Sequence, residues 1–227
     1  MIKPVAKQIL FRLPLQVLLL TLLTGLCYAV MSVPSGVSGL GERVAQNLKT
    51  SGVENPVTAV LINFRGYDTL LEMGVLLLAL LGVWSLGDAP EGRDTRPGPV
   101  LDSLTRLLVP ILILVAGYLL WVGAHAPGGA FQAGSMLGAA GVLLFLSGWR
   151  LGERYLRLTL RVMLVTGLGV FVVVGTVPLL VGRLFLEYPA PFAGALILLI
   201  ETAATLSIGV ALTALFLGGR QAAGPDK

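Results

Sequence analysis

Six long apolar runs dominate the sequence and restrict the folds open to this chain. They cover roughly residues 9–31, 67–87, 103–124, 128–148, 161–182 and 192–217. Each is close to the roughly 20 apolar residues that a helix needs to cross a bilayer. Charged residues make up 12% of the chain, whereas soluble domains carry about 25%. The sequence therefore predicts an all-α, polytopic integral membrane protein with six transmembrane helices. The first run exceeds the ~7–15-residue core of a signal peptide, so we predict a retained helix.

The distribution of basic residues indicates how these helices are oriented. When the N-terminus is placed in the cytoplasm, all but four of the 16 lysines and arginines fall on the cytoplasmic side. The exceptions are Arg43, Lys49, Arg65 and Arg183. Because basic residues concentrate in cytoplasmic loops, we predict that both termini are cytoplasmic.

A polar stretch rich in proline and glycine divides the chain. This stretch, GDAPEGRDTRPGPV, covers residues 87–100 and is typical of a linker. It separates a two-helix unit with a long outer loop (1–95) from a four-helix domain (96–227). The early part of the outer loop resembles a flexible surface loop. Its later part, NPVTAVLINF, is too short to span and predicts a short re-entrant or interfacial helix, with Asn55 as N-cap and Pro56 in the first helical position.

Two acids begin the second apolar run. Asp68 and Glu72 are four residues apart and share one face of a helix, and Arg65 precedes them. Asp68 can interact with the helix dipole or pair with Arg65. Glu72 lies one turn deeper, where an ionisable group indicates either a proton or cation path or a neutral acid bonded to a neighbouring helix.

A third acid, Glu201, lies near the middle of the last run. No basic residue is predicted at its depth, so Glu201 is either protonated or paired with a group from another subunit. Thr202, Thr205 and Ser207 follow it and can donate to the carboxylate, to the helix backbone or to water. A transport path and a purely structural role both fit this position.

The turn HAPGGAFQAG joins the third and fourth runs and contains the only histidine, His125. Histidine exchanges protons near neutral pH, although a polar turn residue is the simpler interpretation. Pro127 can start the next helix, and Gly128 and Gly129 permit tight turn geometry. Small or polar residues follow at helical spacing: Gln132, Gly134 and Gly138. The two glycines permit close helix packing, and Gln132 brings an amide into the membrane.

Several function classes are excluded or disfavoured. The sequence has no phosphate-binding loop, no HExxH, no G-x-S-x-G and no dinucleotide fingerprint. One histidine and the single Cys27, which is expected to be a packed apolar residue, make an internal disulfide impossible and a metal or redox centre improbable. We therefore predict no cofactor, no metal site and no nucleic-acid partner.

Two stretches resemble parts of Mrp-type (Mnh) cation/proton antiporters. NPVTAVLINFRGYDTLLEMGVLLLALLGVWSL is similar to the last part of the large A-type polypeptide, whose signature F-R-G-[FY]-D-T-x-x-E matches FRGYDTLLE, residues 64–72. The following unit resembles the small B-type polypeptide, or MnhB domain, whose hallmark is P-G-G-G-F-x-G-G. Here Ala130 replaces the third glycine, and Ala124 stands where a histidine is common. Related modules occur in membrane-bound hydrogenases and other complexes similar to complex I.

The resemblance implies a non-redox subunit of a multisubunit complex in a prokaryotic plasma membrane, with other membrane subunits as partners, exchanging Na⁺ for H⁺. From their depth in the membrane and the helix face that the first two share, we predict that the ion or proton path comprises Asp68, Glu72, Glu201, His125 and Gln132. Arg65, Thr202 and Thr205 would support it, and Asp68 and Glu72 match the signature acids. Two alternatives stay open: a structural assembly subunit of a respiratory complex, and a self-sufficient small transporter or channel.

Overall fold

The computed structural model describes residues 4–32, 39–85, 98–149 and 153–217, with side chains described from residue 13 and, in the last range, from residue 158. Every regular element within these ranges is a helix. The predicted all-α class is therefore confirmed for the described residues. The chain divides into two units, Met1–Glu42 and Arg43–Lys227. Most of the linker predicted at 87–100 lies outside the described residues.

The first unit contains helix α1, Pro4–Met31, which begins five residues before the predicted run. Its side chains from residue 13 onward are exposed, and apart from Gln16, Thr21 and Thr24 they are mostly apolar on all sides of the helix. The hydroxyls of Thr21 and Thr24 donate to the carbonyls of Val17 and Leu20 in the preceding turn. Both threonine hydroxyls on this exposed surface therefore have a hydrogen-bond acceptor within the helix. Cys27 is exposed on α1, and the expectation of a packed cysteine is wrong for this unit.

Short helices occupy the loop that precedes the second apolar run. Helix α2 covers Leu40–Asn47, and a 3₁₀ turn covers Leu48–Thr50. The predicted flexible loop is therefore wrong over these residues, where Val44 is buried and fixes one helix face. Helix α3, Pro56–Thr58, continues into a π-helix over Ala59–Phe64. The backbone N–H of Val57 donates to Asn55 Oδ1 at 3.0 Å, which confirms the predicted N-cap.

Five longer helices follow: α4 (Gly66–Ser85), α5 (Pro99–Val122), α6 (Ala130–Leu146), α7 (Glu153–Thr176) and α8 (Ala193–Phe216). A 3₁₀ turn, Val177–Val181, ends α7. Helix α8 contacts the other four and is the most deeply buried span. The core of the second unit is therefore built around α8, with Phe171 of α7 and Ile197, Ile200 and Ile208 of α8 almost fully buried.

Glycines bring α6 and α8 close together. A Cβ placed on Gly134 would lie 2.7 Å from Ile208 Cγ2, and one on Gly138 would lie 3.0 Å from Leu212 Cβ. From the other side, a Cβ on Gly209 would lie 2.8 Å from Leu137 Cβ. The close helix packing predicted for Gly134 and Gly138 is therefore confirmed, because any larger residue would force the helices apart.

Within the described residues, five helices are long and apolar enough to cross a membrane: Leu13–Met31, Gly66–Ser85, Pro99–Val122, Leu158–Val181 and Ala193–Phe216. The run predicted at 128–148 forms the 17-residue helix α6. At ~1.5 Å per residue it is about 26 Å long, because the preceding turn takes its first residues and Gly148, with φ +81°, follows its end. Six spans and cytoplasmic termini stay predictions.

Candidate functional site

Backbone packs directly against backbone in the turn between α5 and α6. The N–H of Gly129 donates to the carbonyl of Leu119 at 2.9 Å. A Cβ on Gly128 would collide with that same carbonyl oxygen, and a Cβ on Gly123 would lie 2.7 Å from Gly129 N. Gly129 has φ +106°, a conformation open mainly to glycine. The tight turn is therefore as predicted.

Pro127 does not start helix α6, contrary to expectation. The helix begins at Ala130, three residues later. Gly128 and Gly129 intervene, and the positive φ of Gly129 is incompatible with a helix that is already running. Pro127 itself is exposed on the turn.

The carboxylate of Glu201 lies against the N-terminus of α6. Glu201 is 3% exposed, and its Oε1 lies 2.9 Å from the position of a Cβ on Gly129. The backbone N–H of Ala130 faces the carboxylate. N–H groups in the first turn have no partner within their helix, and the dipole places partial positive charge there. Among the described ion pairs, none includes Glu201, so this helix end supplies the favourable electrostatics.

The hydroxyls near Glu201 donate to backbone carbonyls. Thr205 Oγ1 donates to the carbonyl of Glu201 at 2.7 Å, with a longer 3.5 Å contact to that of Ala130. Thr202 donates to Leu198 at 2.7 Å and is exposed. Ser207 donates to Leu164 of α7 at 2.6 Å. Of the three acceptors left open by the sequence, the helix backbone is therefore the one used.

The side chain of Gln132 approaches the same glycine as Glu201. Gln132 is exposed on the first turn of α6, and its Oε1 lies 3.8 Å from the Cβ position of Gly129. The structure thus brings Glu201 and Gln132 together at one turn. Of the two side chains, Glu201 is buried and Gln132 is exposed.

Asn55, just before α3, and Thr58, at the end of α3, hold the opposite end of this turn, a contact that sequence reasoning missed. Asn55 Nδ2 donates to the carbonyls of Ala126 at 2.6 Å and Gly123 at 3.2 Å. Thr58 Oγ1 donates to Gly123 at 2.6 Å. Both donor side chains are buried. The predicted N-cap at Asn55 was the available signal, but an N-cap requires only the side-chain oxygen.

His125 lies on the exposed side of the turn and pairs with Glu54. Its Nδ1 is 3.1 Å from Glu54 Oε2, and both side chains are largely exposed. No described contact joins His125 to Glu201. The histidine and the buried acid are therefore separate features of one turn.

Asp68 and Glu72 lie elsewhere, on α4. Asp68 pairs with Arg65, which is one of the two interactions predicted for it; the other was an interaction with the helix dipole. Glu72 is exposed in this chain, because α4 buries the face that carries Gly66, Thr69, Met73 and Leu80. Of the two deeper acids, Glu201 is thus buried within this chain and Glu72 lies on its surface. No described contact joins Asp68 or Glu72 to Glu201.

Side chains from neighbouring elements satisfy carbonyls of the π-helix before α4. Thr69 Oγ1 donates to Leu61 at 2.6 Å, and the Tyr188 hydroxyl lies 3.4 Å from the carbonyl of Ile62. Burial raises the pKa of the Tyr188 phenol. π-Helical turns are rare and frequently lie at functional sites. This one connects the Asn55 segment to Arg65 and Asp68.

In the described ranges, no group of three or more histidine, cysteine, aspartate or glutamate side chains is placed to hold a metal ion. The chemistry available at the turn is that of a single buried carboxyl, Glu201, facing the backbone N–H of Ala130. Such a group can hold or release a proton, or attract a small cation.

Two family models match the chain. The domain related to the MnhB subunit of Na⁺/H⁺ antiporters matches residues 100–217. The MbhE model, named for one of the subunits of MBH, matches residues 12–97. Together they confirm the resemblance predicted from the two sequence motifs.

Two relatives are similar in sequence. A probable A/B-type component of a K⁺/H⁺ antiporter from Rhizobium meliloti (strain 1021) is 27% identical over 192 residues, covering 72% of this chain and 19% of that protein. A protein of Methanocaldococcus jannaschii with no described function is 34% identical over 113 residues, covering 40% of this chain and 43% of that protein. The chain thus spans less than half the length of either relative.

Two solved structures share the fold. A chain of the membrane-bound sulfane sulfur reductase, an archaeal respiratory membrane complex, has a TM-score of 0.69 at 26% identity, covering 92% of this chain and 97% of that one. A chain of the Mrp complex from Dietzia sp. DQ12-45-1b has a TM-score of 0.66 at 22% identity, covering 100% of this chain and 27% of that one. At that identity, the second likeness shows the fold alone.

The five apolar spans and the prokaryotic relatives confirm a multi-pass protein of a prokaryotic plasma membrane. The matched chains of known structure belong to membrane complexes, in line with the predicted membrane-subunit partners. Since the first family model covers more than half of the sequence, the chain belongs to the family of domains related to the MnhB subunit of Na⁺/H⁺ antiporters.

Proposed function

We propose that this chain is a non-redox subunit of a cation/proton antiporter, exchanging Na⁺ for H⁺ within a complex of several membrane subunits. The matching family model is named for a Na⁺/H⁺ antiporter, and one relative is named as a probable component of a K⁺/H⁺ antiporter. Both names share the exchange of a monovalent cation for a proton. The chain's own contribution is a set of carboxyl groups on the ion or proton path.

The burial of Glu201 at the N-terminus of α6 carries this proposal. An isolated charged carboxylate inside a membrane protein costs several kcal/mol. Here the N–H of Ala130 and the positive end of the α6 dipole favour the charged form, while the apolar surroundings favour the neutral form. A group balanced in this way can change its protonation state as a cation or proton passes.

The two acids of α4 extend the path to the surface of the chain. Asp68, paired with Arg65, lies in the first turn of α4, and Glu72 is exposed one turn further along the helix. Since Glu72 faces away from the core of this chain, its part of the path would run along a contact with another membrane subunit. Gln132 and His125 would provide polar contacts at the turn itself.

The test is ion exchange by the purified complex in proteoliposomes, read out as proton movement driven by a Na⁺ or a K⁺ gradient. Glu201→Gln and Glu72→Gln remove one charge each and keep the side-chain shape. Glu42→Gln makes the same change at an exposed position of α2 and serves as the control. We expect both path variants to lose most of their exchange in a complex of unchanged subunit composition. Normal exchange in the Glu201→Gln complex would refute the role of Glu201.

The structural alternative also has an observation in its favour. Glu201 joins α8 to the first turn of α6, so the acid could act only in holding the bundle together. On that alternative, Glu201→Gln would reduce the yield of assembled complex, while the assembled fraction would exchange ions normally. Measuring yield and exchange on the same preparations separates the two. Purification as a stable homo-oligomer without other subunits would instead favour a self-sufficient transporter.

A further inference from the structure

We infer that Asn55 is a positioning residue for Glu201, acting through the turn between α5 and α6. The inference rests on the proposed role of Glu201, and it assigns a function to the loop segment that precedes α3. The segment and the acid lie at opposite ends of the same turn. A bond made at one end therefore fixes the geometry at the other.

The donors in this contact come from the loop and from Thr58 at the end of α3, and all acceptors come from the turn. The backbone N–H groups of Glu54 and Asn55 both donate to the carbonyl of Ala124 at 2.9 Å. The side-chain bonds of Asn55 and Thr58 to Gly123 and Ala126 add three more. The accepting carbonyls, of Gly123, Ala124 and Ala126, directly follow the end of α5. The contact thus holds the first part of the turn in place.

The donor side chains are shielded from water. Asn55 is 4% exposed and Thr58 is 3% exposed. When a buried donor is removed, the acceptor it served loses its partner without gaining water. Loss of the Asn55 amide would therefore leave carbonyls of the turn with one bond fewer, and water would not replace that bond.

The turn is too tightly packed to absorb a shift at one end. Its last glycine, Gly129, is bonded back to Leu119 at 2.9 Å, and Gly123 approaches Gly129 so closely that a Cβ on Gly123 would lie 2.7 Å from Gly129 N. Displacement of Gly123 consequently moves Gly129 and the first N–H of α6. That N–H faces Glu201.

Asn55 serves two elements with two different atoms. Its Oδ1 accepts from Val57 N and caps α3, while its Nδ2 donates to the turn. Aspartate is an equally good N-cap but has no donor, and it would place an oxygen against two carbonyl oxygens. Asn55→Asp therefore keeps the α3 cap and breaks only the two side-chain bonds that Asn55 makes to the turn.

The experiment uses the intact purified complex and reads two quantities. The first is the infrared carboxyl band of Glu201, isolated as the difference between the wild-type and Glu201→Gln spectra. The second is the rate of cation-driven proton exchange. We expect Asn55→Asp, and to a smaller extent Thr58→Val, to shift the band and to slow exchange several-fold. Two matched controls make the same substitutions at exposed sites whose side chains donate to carbonyls of Arg43 and Asn47: Asn47→Asp and Thr50→Val.

An unshifted Glu201 band in both Asn55→Asp and Thr58→Val would overturn the inference, whatever happens to exchange. An equal shift in the control variants would overturn it as well. If Asn55→Asp does not assemble, Thr58→Val still decides, because it removes one bond and keeps the side-chain shape. Normal exchange by Glu201→Gln together with a shifted band in Asn55→Asp would refute the transport role of Glu201 and leave the positioning role of Asn55 standing.

Discussion

The carboxylate of Glu201 occupies the space that a side chain on Gly129 would need. Its Oε1 lies 2.9 Å from where the Cβ would be, and Gly129 adopts φ +106°. Position 129 therefore requires glycine for two independent reasons, one of conformation and one of space. The hallmark glycine of the turn and the buried acid 72 residues later along the chain form one structural unit.

Gly129→Ala is expected to destabilise the protein and to displace the Glu201 carboxylate. A residue with a Cβ in this backbone region costs of the order of 1–3 kcal/mol, and the added methyl group would press on Oε1. The measurement is thermal unfolding in detergent, with Gly117→Ala as the control, because a Cβ on Gly117 meets nothing within 4 Å. In α5 that control should be neutral or stabilising. Equal stability of the two variants would contradict this interpretation.

Gly134→Ala should push α6 away from α8. The new Cβ would lie 2.7 Å from Ile208 Cγ2 and 3.2 Å from the carbonyl of Thr205. Overpacking of this kind typically costs about 1–3 kcal/mol. Gly74→Ala on α4 is the matched control, since a Cβ there meets nothing within 4 Å. Unfolding temperatures measured side by side in the same detergent should fall for Gly134→Ala only.

Ser207→Ala should weaken the contact between α8 and α7. Ser207 Oγ donates to the carbonyl of Leu164 at 2.6 Å, and bonds of this kind between membrane helices are worth about 0.6 kcal/mol on average. Ser135→Ala is the control, because Ser135 donates to Gln132 within α6 and is partly exposed. We expect a small loss of stability for Ser207→Ala and a smaller one for Ser135→Ala. The reverse order would show that the interhelical bond contributes nothing.

Tyr188 should make stability fall at alkaline pH. Burial raises the pKa of its phenol above the ordinary value, so the unfolded chain releases this proton at a lower pH than the folded protein. The contribution of Tyr188 is therefore constant below about pH 10, the ordinary tyrosine value. Above that pH, stability falls by up to about 1.4 kcal/mol per pH unit.

The check for Tyr188 is unfolding of wild type and Tyr188→Phe across this pH range. Other titrating groups shift both proteins alike, so the difference between the two curves isolates Tyr188. We expect the wild type to lose stability relative to Tyr188→Phe as the pH rises past about 10. Parallel curves would mean that the phenol titrates as it does in the unfolded chain.

Much of the architecture followed from the sequence. A bilayer offers backbone groups no hydrogen-bond partners, so each long apolar run must form a helix. The positions of α4 and α8 were predicted within two residues for this reason. The N-cap at Asn55, the glycine turn and the close approach at Gly134 were also predictable, because each follows from the local chemistry of the residue itself.

Only the tertiary structure decided which face of each helix packs against a neighbouring element. Helical periodicity places Asp68 and Glu72 on one face but does not say whether that face is buried, and the structure leaves Glu72 exposed and buries Glu201. The partners of His125 and of the Asn55 amide lie 68 or 71 residues away along the chain. Contacts over such separations depend on how helices pack, which local residue preferences do not specify.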